Sequence, residues 1–588
     1  MVGTKARPMR VHDGELEGVK VRNRPRARFF HLCWLGVLMA LLVGSADAQA
    51  TAGDPQVRVA RLAHLTVHVA LEPAGTNQWT QAVPNTPLTT GDRLYVSHEG
   101  HAELQMGELA VRAWAFTDLS VVNLANVATQ LAVAQGSVHV RTFALRSDRP
   151  VEVDTPNGAI TVLQPGDFRL DVYTNGGGTL LAVDAGAIQI SGPGMEKILG
   201  AGESVHLVGS NPIHVLTQRM PGKDPFDVWS QQRDRVFLSS EARRYVNPDT
   251  VGSEDLDAYG KWSDTLEYGP VWYPSNLPAG WSPYSNGRWS WIAPWGWTGV
   301  DADAWGFAPF HYGRWTDLGS RWGWIPGPPG VSPVYAPAMV AFVGGASFAG
   351  EAGTPLAGWI PLGAGEPFYP AHACSRACFT QVNLSNLSEP RSSPRRVNET
   401  NYFGYYHSRA GFRSIHYVHQ QASTIAMPSG QLATAGAVTP ETAMHPTAQQ
   451  WALARILSHP LVAPTMRSVV PQPVSSVPVP AERAPVIVAL HAAATTAPQN
   501  GAGESAPQPG GGFFLIARTA PPAAGPSFEQ QLPALTENAG RPLDPGQWMN
   551  LAAGHTAGPA TVREFPPESW SLRHATGTNA AGRHAGVK

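Results

Sequence analysis

Cysteine is scarce in this chain. The 588 residues hold three, and one of them, Cys33, lies in an N-terminal apolar run. A framework of several disulfides is excluded, and only Cys374 and Cys378 remain for the body of the protein. Net charge is lacking too: 42 Lys and Arg against 44 Asp and Glu leave −2. No broad field exists to draw in nucleic acid or an acidic lipid surface, which excludes nucleic-acid partners. Beyond the N-terminal run, no segment stays apolar over the ~20 residues that a spanning helix needs. The patterns of catalysis are also missing. Gly222-Lys223 runs into Asp224 and has no upstream glycine for a phosphate loop. His98-Glu99-Gly100-His101 is one residue short of a zinc-protease spacing, and in a strand its imidazoles point oppositely. Gly345-Ala346-Ser347-Phe348-Ala349 has alanine where a nucleophile elbow closes on glycine. Asp301-Ala302-Asp303 begins like a calcium loop, but Trp305 and Tyr312 occupy ligand positions, which leaves both aspartates as turn residues. No catalytic residue, cofactor or metal is expected.

What is present begins with a leader. Eight Lys and Arg residues between Lys5 and Arg28 precede an apolar run from Phe29 to Val43, and Ala46-Asp47-Ala48 follows. Basic, apolar and small-residue stretches in that order read as a secretory signal over residues 1–48, cleaved after Ala48. The rival reading is an uncleaved anchor. Export predicts a periplasmic or other envelope location with no membrane span after cleavage. Cys374 and Cys378 would then be a local disulfide or free thiols. A metal site with His372 would have three ligands in seven residues and no fourth nearby.

Glycine and proline are abundant, 60 and 53 residues, a level that favours turn-rich β structure over helix bundles. Residues 55–210 alternate apolar and polar positions in short runs. Examples are Leu65, Val67, Val69 and Leu71, then Val138 and Val140, then Phe168, Leu170 and Val172. Period two places such side chains on one face of a strand. Gly91-Asp92, Pro156-Asn157-Gly158, Pro165-Gly166-Asp167 and Gly202-Glu203 supply turns between the runs. An all-β domain follows.

This region resembles the FecR-type domain. The motifs are Val57-Arg58-Val59-Ala60-Arg61-Leu62, Leu88-Thr89-Thr90-Gly91-Asp92-Arg93-Leu94, Pro165-Gly166-Asp167-Phe168-Arg169-Leu170 and a closing Gly202-Glu203. The resemblance implies a periplasmic β domain and, as an alternative function, a sensory or signal-transduction component of the envelope.

Residues 222–247 read as a helical connector. Asp224-Pro225 starts it, Phe226, Trp229, Val236, Phe237 and Tyr245 give an apolar stripe, and Asn247-Pro248 stops it. Arg243 and Arg244 suit its C-terminal dipole.

Residues 251–363 are a tryptophan-rich repeat. Eleven of nineteen tryptophans lie between Trp262 and Trp324. Gly280-Trp281-Ser282-Pro283-Tyr284-Ser285-Asn286-Gly287-Arg288-Trp289 aligns without gaps to Gly306-Phe307-Ala308-Pro309-Phe310-His311-Tyr312-Gly313-Arg314-Trp315. Trp295-Gly296-Trp297 and Trp322-Gly323-Trp324 follow the two copies, and Gly269 to Pro274 and Gly358 to Pro361 are degenerate relatives. Aromatics two residues apart among Pro and Gly predict short hairpins with rings on one face. Most of the rings are expected to form the core, since each indole can bury ~150–250 Å². Trp289, Trp291, Trp297, Trp315, Trp324, Arg288 and Arg314 are also the candidate ligand-binding residues. Ring faces suit sugars, and both arginines are expected over rings. The segment resembles an uncharacterised tryptophan-rich domain family that follows FecR-like domains in Gram-negative envelope proteins, and that resemblance brings no known reaction.

Residues 390–588 are rich in Ala, Pro, Ser, Thr and Gly, which predicts a largely disordered tail with one short helix around Thr447 to Leu457. The chain therefore reads as a mainly β, exported, non-catalytic binding or scaffolding protein. Its expected partner is an envelope protein or polysaccharide.

Overall fold

The computed structural model describes residues 54–553, apart from 175–176, 320, 388–398, 409–415, 421–422, 475–476, 481–485 and 492–513, together with the strand Arg563–Glu564. The expected leader, residues 1–48, lies outside the described residues. Those described belong to one compact unit. The fold is mainly β, as the alternation and turn chemistry require. No helix among the described residues is long and apolar enough to cross a membrane.

Fifteen strands run between Ala60 and Gln218. The period-two positions form their core: Leu131, Val133, Val138, Val140, Ile160, Phe168, Leu170, Ile188 and Ile190 are buried in one continuous cluster. One alternating run breaks. Val67 is 73% exposed, because the chain turns between the strands Ala60–Leu65 and Val69–Glu72. The long strands bend to serve both sides of the core. Gly158–Val172 shifts register against Thr179–Gly192 at three places between Val162 and Phe168. Each bulge adds a residue to one strand and turns it. The strand therefore pairs with Val151–Thr155 at its start and with Ala128–Thr142 at its end. Gly136 lies within Ala128–Thr142 with φ +94°, and a Cβ there would stand 2.4 Å from Thr117 Cα. Only glycine fits that approach.

The connector helix spans Pro225–Ser239 and starts as expected. The Asp224 side chain accepts from Asp227 N, and the Asp227 side chain accepts from Asp224 N. It ends earlier than the sequence suggested. Ser240 is extended, and Glu241–Arg244 form a separate 3₁₀ turn. Arg243 therefore does not close the helix. It lies 4.5 Å over the Phe237 ring and 3.5 Å from Glu108.

The repeat is a repeated hairpin. Gly287–Ile292 pairs with Gly296–Asp301, placing Trp291 opposite Trp297. Arg314–Asp317 pairs with Trp322–Ile325, placing Trp315 opposite Trp324. The two copies sit in different small sheets. The degenerate relatives are strands too, Gly269–Pro274 and Leu356–Pro361.

Within residues 390–588, expected to be largely disordered, the described residues include short segments that add to the earlier sheets. Ile425–Pro428 pairs with Leu356–Pro361, Arg455–Leu457 with Val340–Gly344, and Ala437–Val438 with Gly287–Ile292. Phe514–Thr519 runs parallel to Val486–His491 and bridges to Val151–Thr155 at Ile516. The helix Phe528–Glu537 buries Phe528 and Leu535 against the tryptophans. The expected short helix is Ala448–Leu453, capped by Thr447. These segments have little apolar surface of their own, and they gain it by completing sheets that the earlier modules leave open. Residues 390–398, 409–415, 421–422, 475–476, 481–485, 492–513, 554–562 and 565–588 of this stretch lie outside the described ones.

Candidate binding cleft

Nine of the eleven clustered tryptophans are buried, among them Trp289, Trp291, Trp297, Trp315 and Trp324. Trp289 packs on Trp359 at 5.2 Å, Trp291 stands edge-on to Trp297 at 5.8 Å, and Trp315 lies 5.7 Å from Trp281. Their indole N–H groups turn inward as well: Trp297 Nε1 donates to Val462 O at 2.9 Å and Trp324 Nε1 to Tyr312 O at 2.8 Å. Rings held in this way are core and present no platform to a sugar, which corrects their assignment as ligand-binding residues. Arg314 is likewise buried. It donates to the carbonyls of Glu366, Gly313 and Asn386 at 2.8–3.0 Å, and it lies over no ring among the described cation–π contacts. Burial pulls its guanidinium down to about 10. Arg288 is half-buried and, with Trp291, lines a pocket of about 70 Å³ against the β module, with room for waters and not for a sugar ring. Asp301 ends the strand Gly296–Asp301 rather than lying in a turn, and Asp303 lies in the bend after it, its N donating to Asp301 Oδ1 at 2.9 Å. His98 and His101 point apart: His98 packs against His68, while His101 stacks on Trp114.

The two β modules meet along a polar seam. Arg61, from the first strand, is fully buried. Its guanidinium donates to Asn85 Oδ1 (2.8 and 3.0 Å), Gln105 Oε1 (3.2 Å), Asp255 Oδ2 (2.5 Å) and Ala304 O (2.9 Å). Asn85 Nδ2 then donates to Asp301 O and Asp303 O. One arginine thus ties the β module to the loop that leads into the second hairpin.

Beside this seam opens a cleft of about 350 Å³. Val57, Arg58, Val59, Met106, Gly107 and Arg149 line it from the β module, and Asp249, Val251 and Tyr312 from the later chain. Val331 to Val334, with Gln381 and Leu384 from the helix Arg376–Asn386, close one side. Its shape depends on Gly107, which has φ +71°, because a Cβ there would lie 2.9 Å from Asp249 Oδ1. Arg58 is fixed by Ala125 O (3.1 Å), Ala128 O (3.4 Å) and Thr129 Oγ1 (3.0 Å). Burial, and next the Arg149 charge, draw its guanidinium down to about 10, so it stays charged at neutral pH. Arg149 approaches Asp249 only to 3.7 Å, and its buried Nε has no hydrogen-bond partner. Two guanidiniums thus face one carboxylate among apolar walls. Such a cleft favours an anion, above all a carboxylate attached to something partly apolar. Sequence reasoning missed Arg149 and Asp249, which are remote in the chain and carry no motif. Arg58 stood in the opening FecR-type motif, out of phase with Val57 and Val59.

Cys374 and Cys378 form a disulfide, one of the two states expected for them. His372 is buried beside them, and burial holds its imidazole down to about 4.

Residues 253–366 match the model of a family of unknown function, DUF6600. The match coincides with the tryptophan-rich module. No curated protein matches the chain. Among solved structures, two of a putative anti-sigma factor from Parabacteroides distasonis ATCC 8503 are similar at 14% identity and a TM-score of 0.20. They cover 25% of this chain, and 64% and 63% of their own, so the chain spans less than two thirds of their length.

Proposed function

We propose that this chain is an exported, non-catalytic envelope protein whose two β modules, locked by Arg61, hold a carboxylate-bearing envelope component in the cleft between them. The observation that carries the reading is the juxtaposition of Arg58 and Arg149, one of them with an unpartnered Nε, within apolar walls. The cleft's polar groups bind and orient. Export is supported by the leader pattern of residues 1–48 and by the disulfide, which persists in oxidising compartments.

Calorimetric titration of the mature protein with soluble, carboxylate-bearing peptidoglycan fragments tests the reading. Saturable binding is expected, weakened about tenfold or more by Arg149→Ala, since a charge-assisted hydrogen bond contributes ~1.5–3 kcal/mol. Absence of binding, or equal binding by the variant, would sink it. The FecR-type motifs between Val57 and Glu203 favour a second reading, a sensory component of the envelope. Capture of a sigma factor by the full chain, together with an uncleaved N-terminus, would replace the first reading with the second.

A further inference from the structure

The turn into the helix Arg376–Asn386 gathers three side chains that the binding reading does not use. One ligand atom each from His372, Cys374 and Cys378 lies within 4.8 Å of the others. His372 is 7% exposed, and its Nδ1 is buried with no hydrogen-bond partner. A buried ring nitrogen in that state calls for an explanation. The surroundings are firmly held. Ser375 donates to Asp54 through both its N–H (2.8 Å) and its Oγ (2.6 Å), and its Oγ accepts from Cys378 N (3.2 Å). Tyr406 Oη donates to His372 O at 2.6 Å and stacks on Phe379.

We infer that this cluster is a redox-gated metal site, closed as the disulfide and open, once reduced, to one thiophilic cation of the zinc or copper(I) class. A dithiol or phosphine reductant supplies two electrons, the S–S bond breaks, and two thiols form as the reductant is oxidised. The cation then displaces both thiol protons and takes two thiolates and the His372 imidazole as ligands. The Cα atoms of Cys374 and Cys378 are 5.5 Å apart, close enough for both sulfurs to reach one ion at ~2.3 Å. Cys378 is the third residue of its helix, where the N-terminal dipole favours the thiolate. The bridge closes only a four-residue separation, so its reduction removes little of the constraint on the chain. Three protein ligands leave a further position for water or a partner group.

The test uses the full chain carrying Cys33→Ser, reduced with a phosphine under anaerobic conditions and titrated with Co²⁺. The expected result is thiolate-to-cobalt charge-transfer absorption that saturates at one equivalent and is displaced by Zn²⁺. The oxidised protein should show none. Cys378→Ser should abolish the band and His372→Ala should weaken binding, with circular dichroism unchanged. A reduced wild-type protein without the band overturns the assignment and needs no variant to do so. A band of equal affinity in His372→Ala reduces the cluster to a bare dithiol and overturns it as well. Neither result bears on the Arg58–Arg149 cleft.

Discussion

At Arg61 a single side chain serves five acceptor contacts and leaves almost none of its surface to water. Removing one member of a buried charged network leaves its partners desolvated, which commonly costs ~3–5 kcal/mol. Arg61→Ala should therefore lower the unfolding free energy in urea by that order and separate the unfolding of the two modules, as read by tryptophan fluorescence against far-UV dichroism. Coincident, undisturbed transitions would refute the seam as a lock. Trp289→Ala tests the other residue-scale conclusion. A buried indole packed on Trp359 and Phe342 should cost ~3–5 kcal/mol on truncation, whereas a surface platform would cost little. The sequence made the tryptophans conspicuous and Arg61 ordinary. Aromatic density is a local property, legible from spacing. The role of an arginine is decided by what a distant loop brings to it, and Asp255 and Ala304 are 194 and 243 residues away.

The connector helix shows where pattern reading succeeds and fails within one element. Its cap was legible because Asp224-Pro225 and Asp227 act on their own neighbours. Its packed face was legible only in part: Phe226, Trp229 and Phe237 meet Trp114, His101 and Phe143 as the stripe predicts, but charged side chains share that face. Val236 and Leu238 point outward, while Asp227, Arg233 and Asp234 turn toward the sheet. There, Glu103, Arg112, His139 and Arg169 stand directly opposite one another across four strands, a cross-strand ladder that alternation alone would assign to solvent. The helix covers the ladder through Glu103–Arg233 (2.9 Å), Arg112–Asp234 (2.7 Å), His139–Asp227 (2.9 Å) and Arg169–Asp227 (3.0 Å). These pairs set a pH window. Burial opposes charge on His139, but hydrogen bonds to Asp167 and Asp227 outweigh it and raise its pKa above the ordinary 6.5. Its contribution is therefore complete below pH 6.5 and is lost as pH rises through the raised value. Burial also opposes charge on Glu103, and Arg233 and Arg112 overcome it, drawing the pKa from 4.5 to about 2. That contribution is present above pH 4.5 and is lost as pH falls toward about 2. Urea midpoints of wild type and His139→Gln should differ most below pH 6.5 and converge at alkaline pH. A gap that is constant or widens with pH would contradict the paired imidazolium.

Across the whole molecule, composition says least about the ordered segments of the C-terminal third, and the reason is physical. A segment poor in apolar residues cannot fold alone, yet it can order when its backbone completes an existing sheet and its few large side chains enter an existing core. Ile425, Met427, Leu432, Val438 and Val462 do so among the tryptophans, and Leu515 and Ile516 do so in the β module. The dependence should run both ways. The Gly287–Ile292 hairpin takes a third strand from Ala437–Val438, Trp297 Nε1 needs Val462 O, and Leu356–Pro361 would be a bare edge without Ile425–Pro428. Exposed edge strands and apolar faces promote association between chains. A chain cut after residue 366, where the family match ends, should therefore lose cooperative unfolding, shift its tryptophan emission to the red and self-associate in sedimentation. A chain ending at residue 553 should keep all three native properties. If the 366 truncation unfolds cooperatively with native emission, the tryptophan-rich module is self-sufficient, and the later strands only lean against it.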